Sequence, residues 1–127
     1  MNDNALLKKH FFNPLNMLSS KDNPSDFTSV SVGSKVLGDA VTLYVECDKK
    51  TKNIKQFKYK VYGNPYLIAA LSYISTELID TILRHEPYTL AQKLIDVFSI
   101  PKTKYYCAYM LEDACNQVMT KWQNSHD

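Results

Sequence analysis

Cys107 is the side chain of this sequence best placed to do chemistry. It falls at or near the first turn of a C-terminal helix, where free backbone N–H groups and the helix dipole favour a thiolate, and Lys104 lies three residues before it. The competing reading makes it a small apolar residue on a helix stripe. Cys115, eight residues on, belongs to the same buried stripe, and Cys47 closes a strand beside charged residues. Asp39 follows Gly38 at the opening of a strand, where a carboxylate is either a metal ligand or simple turn chemistry. His10, His85 and His126 stand at helix ends or in the tail without HxxxH or HxxE spacing, so no histidine metal site is visible. Glu112 and Asp113 are adjacent, hence about 100° apart on a helix, which argues against a shared acid-base pair and leaves them as a solvated first turn. The sequence has no G-x-S-x-G elbow, Walker loop or GxGxxG. None of this reads as an enzyme.

The elements that must hold these residues form one domain, 1–127, since a chain of 127 residues falls short of two ordinary domains. With 45% hydrophobic, 22% charged and 12% aromatic residues it can bury a core. A net charge of +2, with Arg84 the only arginine, argues against nucleic acid or an anionic membrane as partner. Three cysteines without a CxxC pair support neither a disulfide framework nor a zinc ribbon and fit a reducing compartment. Met1 to Phe12 lacks the apolar run of a signal peptide, and no stretch of about 18 apolar residues occurs. A soluble, cytoplasmic protein is expected.

Leu6, Leu7, His10 and Phe11 mark a short helix over Ala5 to Phe12, stopped by Asn13-Pro14. Ser19 to Ser29 reads as a surface loop and the least ordered interior stretch. The period then changes to two. Val30, Val32 and, at the margin, Val36 define one strand, Val41, Leu43 and Val45 a second, and Phe57, Tyr59 and Val61 a third, joined as an antiparallel meander. Asn64-Pro65 is an N-cap followed by a first-turn proline. The apolar stripe from Leu67 through Ile79, Ile82 and Leu83 then predicts a helix ending near His85. Leu90, Leu94, Ile95 and Phe98 mark a shorter helix before Pro101, and Cys107 to Trp122 the last one. The fold class is α+β, a three-stranded antiparallel sheet with helices packed on one face. Lys49, Lys50, Lys52, Lys55, Lys58 and Lys60 make the second hairpin basic, a solvated edge or a docking surface for an acidic partner. Tyr105, Tyr106 and Tyr109 form an aromatic patch around Cys107, either interface or core rim.

Several strings, in this order, resemble the IscU-type, or NifU N-terminal, iron-sulfur cluster assembly scaffolds from roughly Leu7 to Val118. Asn13-Pro14-Leu15-Asn16 is similar to the family's N-P-x-N, and Gly33 to Asp39 to its G-x-x-x-C-G-D loop. Phe57 to Gly63 resembles the F-K-x-x-G strand that leads into G-C and a long helix. Ile100 to Cys107 resembles L-P-P-V-K-x-H-C, with Leu111-Glu112-Asp113-Ala114 following as L-A-E-D-A-like.

The resemblance implies a scaffold that holds a nascent cluster or zinc with three cysteines beside the loop Asp. Residue by residue, the first cysteine falls on Leu37, the second on Asn64 and the neighbouring His on Tyr106; only Asp39 and Cys107 match. The expected remnant metal site is therefore Asp39 and Cys107, with no cofactor tightly bound and at most a labile iron-sulfur cluster, iron or zinc, because clusters and tetrahedral zinc need more donors. Cys107 is the expected sulfur acceptor from a cysteine desulfurase, and Lys104 and Tyr105 the expected partner-binding residues. The segment that the family offers to an Hsp70-type chaperone is rewritten here as Ile100-Pro101-Lys102-Thr103-Lys104, which changes the surface a chaperone would read. The expected function is an assembly protein diverged at its cluster site and acting through a desulfurase. The rivals are an interaction module of the same fold with no iron-sulfur role and a dimer with bridging ligands from two chains.

Overall fold

A computed structural model describes residues 4–126. The first helix, α1 (Ala5–Phe12), is capped by Asn4, whose side-chain oxygen accepts the Leu7 N–H at 3.1 Å while its amide donates to the Phe98 carbonyl. Strands β1 (Thr28–Ser34), β2 (Asp39–Cys47) and β3 (Ile54–Tyr62) form an antiparallel sheet in the order β1-β2-β3. Val32 faces Val41, and Val41 faces Val61. The period of two puts Leu43, Val45, Phe57 and Tyr59 on one face, where α2 (Pro65–Leu78) and α4 (Tyr105–His126) cover them and α3 (Ala91–Phe98) packs on α4. Leu43, Phe57, Leu71 and Leu111 are each fully buried, and each such side chain contributes about 1.5–3 kcal/mol. The three-stranded sheet with helices on one face is what the sequence predicts. Among the described residues no helix is long and apolar enough to cross a membrane.

Five local expectations are corrected. Helix α2 ends at Leu78, well before His85. Beyond it Asp80 turns with φ of 68°, and the segment returns to the sheet: Asp80 N–H donates to the Ile54 carbonyl and Ile54 N–H to the Thr81 carbonyl, both at 2.8 Å. Ile79, Ile82 and Leu83 continue the helical period by coincidence, because the backbone groups of Ile54 at the start of β3 offer better partners. Val36 lies in the turn after β1, 94% exposed, and not in the strand.

The loop predicted least ordered folds across the outer face of the sheet. Asp22 accepts a 2.7 Å ion pair from Lys58, and Phe27 packs edge-on against Tyr44 at 6.1 Å. Lys58 is consequently half-buried, so the basic hairpin is not simply a solvated edge. Glu112 is not a solvated first-turn residue either: its Oε1 accepts the N–H groups of Leu90 at 2.8 Å and Ala91 at 3.1 Å, and so caps α3, whose own N-cap, Leu90, has no side chain to do it.

Candidate functional site

Asp39, Asn64, Tyr106 and Cys107 converge where the β1–β2 hairpin, the end of β3 and the first turns of α2 and α4 meet. Register brings them there. Ala40 lies opposite Tyr62, so the strand start that carries Asp39 sits beside Gly63 and the N-cap of α2. A Cβ on Gly63 would stand 2.7 Å from Asp39 Oδ1 and 2.7 Å from Leu67 Cδ2, so glycine at this position admits the carboxylate. Gly38, with φ of 99°, closes the hairpin just before it.

Asn64 holds the cluster together. Its Oδ1 accepts the N–H groups of Tyr66 at 3.0 Å and Leu67 at 3.2 Å, which is the N-cap that the Asn-Pro pair predicts. Its Nδ2 donates in the other direction, to Asp39 Oδ1 at 3.3 Å and to Cys107 Sγ at 3.2 Å. Tyr106 donates its hydroxyl to the other carboxylate oxygen, Asp39 Oδ2, at 2.7 Å. That bond holds the proton on Tyr106, with the phenol pushed well above its usual range. Lys104 lies over the Tyr106 ring, its Nζ 5.8 Å from the centroid.

Cys107 lies in the first turn of α4, as the sequence predicts, and takes the second of its two readings, a small residue on the buried stripe. It is the third residue of α4, and its side chain turns inward to full burial. Burial pushes the thiol up. The hydrogen bond from Asn64 and the neighbouring Tyr106 hydroxyl oppose that, Asp39 adds to it, Lys104 opposes it again, and the net shift is upward. Desolvation is the leading cause, and the resting group is a thiol. Leu37, where the resemblance would put a first cysteine, is outside the cluster: it projects from the hairpin tip 84% exposed. Tyr106 and Tyr109 are exposed, whereas Tyr105 is half-buried with its ring against the core. Cys47 and Cys115 are buried elsewhere in the core, where burial raises their thiols to about 11 and about 12.

Both oxygens of Asp39 and the sulfur of Cys107 are thus already used by protein donors. Among the described residues no three His, Cys, Asp or Glu side chains gather to hold a metal ion. Two occupied donors with an amide between them do not fit an iron-sulfur cluster or tetrahedral zinc, which take about four ligands. The chemistry this arrangement supports unaided is structural: it ties a hairpin and two helix starts into one corner.

A further buried polar group escaped the sequence reading. His10 Nδ1 and Ser72 Oγ share a 2.7 Å hydrogen bond, Leu15 N–H donates to the same hydroxyl at 2.9 Å, and Tyr59 donates to the Leu15 carbonyl at 2.8 Å. Asn16, with φ of 66°, donates its amide to Ser75 Oγ at 2.9 Å. The Asn13-Pro14-Leu15-Asn16 string docks on α2 through these bonds. The serines Ser72 and Ser75 within an apolar stripe were its sequence signal.

The NifU-like N terminal domain model matches residues 3–127. The chain is 28% identical over 116 residues to "Iron sulfur cluster assembly protein 1, mitochondrial" of Debaryomyces hansenii, covering 91% of this chain and 64% of that protein, a little under two thirds of its length. It is 25% identical over 117 residues to the iron-sulfur cluster assembly scaffold protein IscU of Buchnera aphidicola subsp. Baizongia pistaciae, covering 92% of each. The N-terminal NifU-like protein from Brucella abortus has the same fold, with a TM-score of 0.69 at 14% identity over 94% of this chain and 93% of that one.

Proposed function

Because this chain belongs to the NifU-like N-terminal domain family, we propose that it is an iron-sulfur cluster assembly protein whose cargo pocket is closed by its own side chains and which acts through contact with a cysteine desulfurase. The observation that carries this reading is Asn64: the residue in the position of the second cysteine caps α2 and spends its amide on Asp39 and Cys107 together. Tyr106, in the position of the ligand-neighbouring histidine, occupies what remains of Asp39. In this reading the protein is not an enzyme, and a cluster, iron or zinc is at most a transient cargo. Its three unpaired thiols suit a reducing compartment, the cytoplasm in our reading.

Cys107 accepts sulfur only after a partner displaces Asn64 from it and opens the Tyr106–Asp39 bond beside it. The thiol then loses its proton, the thiolate attacks the terminal sulfur of the desulfurase persulfide, and the desulfurase cysteine leaves as thiolate and takes up that proton. Lys104 and Tyr105, flanked by Tyr106 and Tyr109 and the exposed hairpin tip Val36-Leu37, form the partner-binding surface, and whether an Hsp70-type chaperone shares it depends on the rewritten Ile100–Lys104 segment. The exposed apolar tip equally favours the second reading, an interaction module of this fold with no iron-sulfur role.

The test is anaerobic incubation with iron, sulfide and a cysteine desulfurase, followed by desalting, an absorption spectrum and metal analysis. The expected result is desulfurase binding without a retained cluster. A stable visible-absorbing cluster at one per protomer refutes the closed pocket. Absence of desulfurase binding, with no effect of Cys107→Ser on sulfur transfer, selects the interaction module.

A further inference from the structure

The two edges of the sheet are treated differently. The β3 edge is covered by Met17 and Leu18, which pair with Tyr59, and carries Lys55, Lys58 and Lys60. The β1 edge, Thr28-Ser29-Val30-Ser31-Val32-Gly33-Ser34, has neither charge nor proline, and among the described residues no strand pairs with its outer side. Charges and prolines are the usual protection of an exposed edge, which otherwise templates another strand.

Hydrogen-bond parity shows which β1 groups face outward. Leu18 N–H donates to the Tyr59 carbonyl at 2.9 Å, so Tyr59 turns its backbone groups away from β2. Its opposite residue Leu43 turns its own groups toward β1, where it faces Val30. By alternation Ser29 and Ser31 point their N–H and C=O groups out of the sheet. Two contacts agree. Lys121 Nζ reaches the Ser29 carbonyl at 2.8 Å, and the Ser31 and Thr42 hydroxyls meet across the strands at 2.8 Å, the close approach of a pair without backbone bonds.

We infer that β1 is a self-pairing edge: two copies of this chain join antiparallel about a two-fold axis at Ser31, making one six-stranded sheet. The occupant is a second copy because the strand is nearly palindromic. Reversed about Ser31, Val30 faces Val32 of the other copy on the helix-covered side, Ser31 faces Ser31, and the small residues Ser29 and Gly33 exchange places. Ser31 N–H and C=O then bond their counterparts. The groove of about 610 Å³ beside this edge is bounded by Val30 and by Asn116, Gln117, Thr120 and Asn124 of α4, all uncharged, with Lys121 the one charge there. With a net charge of only +2, little repulsion keeps the copies apart. Lys121 must leave the Ser29 carbonyl for the strands to meet, which makes the pairing reversible and concentration-dependent.

The test is the mass of the full chain by sedimentation equilibrium from micromolar to millimolar concentration, beside Ser31→Pro and Ser31→Lys. Proline removes an outward N–H without touching the β1–β2 ladder, and lysine sets two like charges opposite each other with no backbone change. The expected result is a rise toward twice the 14.6 kDa chain mass in the parent, a dimer at least tenfold weaker in both variants, and unchanged circular dichroism. Amide exchange at Ser31 slows as the parent dimerises. A parent that is monomeric throughout, dimers of unchanged strength in Ser31→Lys, or dimerisation without protection at Ser31 each overturn the proposal.

Discussion

Replacing Asn64 with aspartate separates its two duties. Aspartate caps a helix as well as asparagine, so the bonds from Tyr66 and Leu67 survive. The other side of the group changes from donor to acceptor, 3.3 Å from Asp39 Oδ1 and 3.2 Å from Cys107 Sγ. Two unit charges about 4 Å apart repel by about 1 kcal/mol in water and about 4 kcal/mol at an effective dielectric of 20. The helix dipole returns about 0.3–1 kcal/mol to the new carboxylate. Asn64→Asp is therefore expected to cost about 2 kcal/mol at pH 7, read as the shift in urea unfolding followed by circular dichroism. Two carboxylates sharing one site take up a proton more readily than one alone. The deficit against the parent should then shrink as pH falls from 7 toward 4.5, whereas Asn64→Ser, which keeps a cap and adds no charge, should show a deficit independent of pH. An Asn64→Asp variant as stable as the parent at pH 7, or one whose deficit does not change with pH, would refute Asn64 as the clasp between Asp39 and Cys107.

Two further outcomes follow from buried polar groups. Burial, and then the charge of Lys9, holds His10 below its ordinary value of 6.5, so the unfolded chain binds that proton more readily than the folded one. The stability His10 confers is complete above that value and is lost as pH falls below it; urea midpoints should drop between pH 7.5 and 5.5 more steeply in the parent than in His10→Gln, and equal slopes would count against it. Glu112→Ala removes the one acceptor that serves Leu90 and Ala91 N–H, at a cost of about 1–3 kcal/mol, and amide exchange at those two residues should accelerate first.

The sheet was legible because alternation over β2 and β3 admits one pairing that buries Leu43, Val45, Phe57 and Tyr59 together. The cap of α2 was legible because asparagine before proline has a local mechanism. What escaped depends on partners far along the chain. Nothing near Ile79 tells that the start of β3 will draw it out of the helix, and nothing near Glu112 tells that the N-cap position of α3, 22 residues earlier, lacks a side-chain cap. The site was half legible. Its four residues were identified by order and resemblance, and the apolar stripe of α4 offered burial of Cys107 as one of two readings, but only the packing of that helix against the core decides between a buried thiol and a first-turn thiolate.

In the proposed reading, a pocket loses its ligands on this fold without collapse because the side chains now there bond to one another. Gly63 still admits the Asp39 carboxylate, Asn64 reaches it and the sulfur, and Tyr106 takes its second oxygen. Those three bonds also set the threshold for any thiol chemistry. At a net of about 0.5–1.5 kcal/mol each they total about 1.5–4.5 kcal/mol, so the open form with Cys107 free is populated about once in ten to once in two thousand molecules. A partner that uses Cys107 must therefore bind the open form more tightly than the closed one by at least that margin. Contact with the hairpin tip and Tyr106 supplies a route, since engaging the Tyr106 hydroxyl removes one of the three bonds before the thiol is reached.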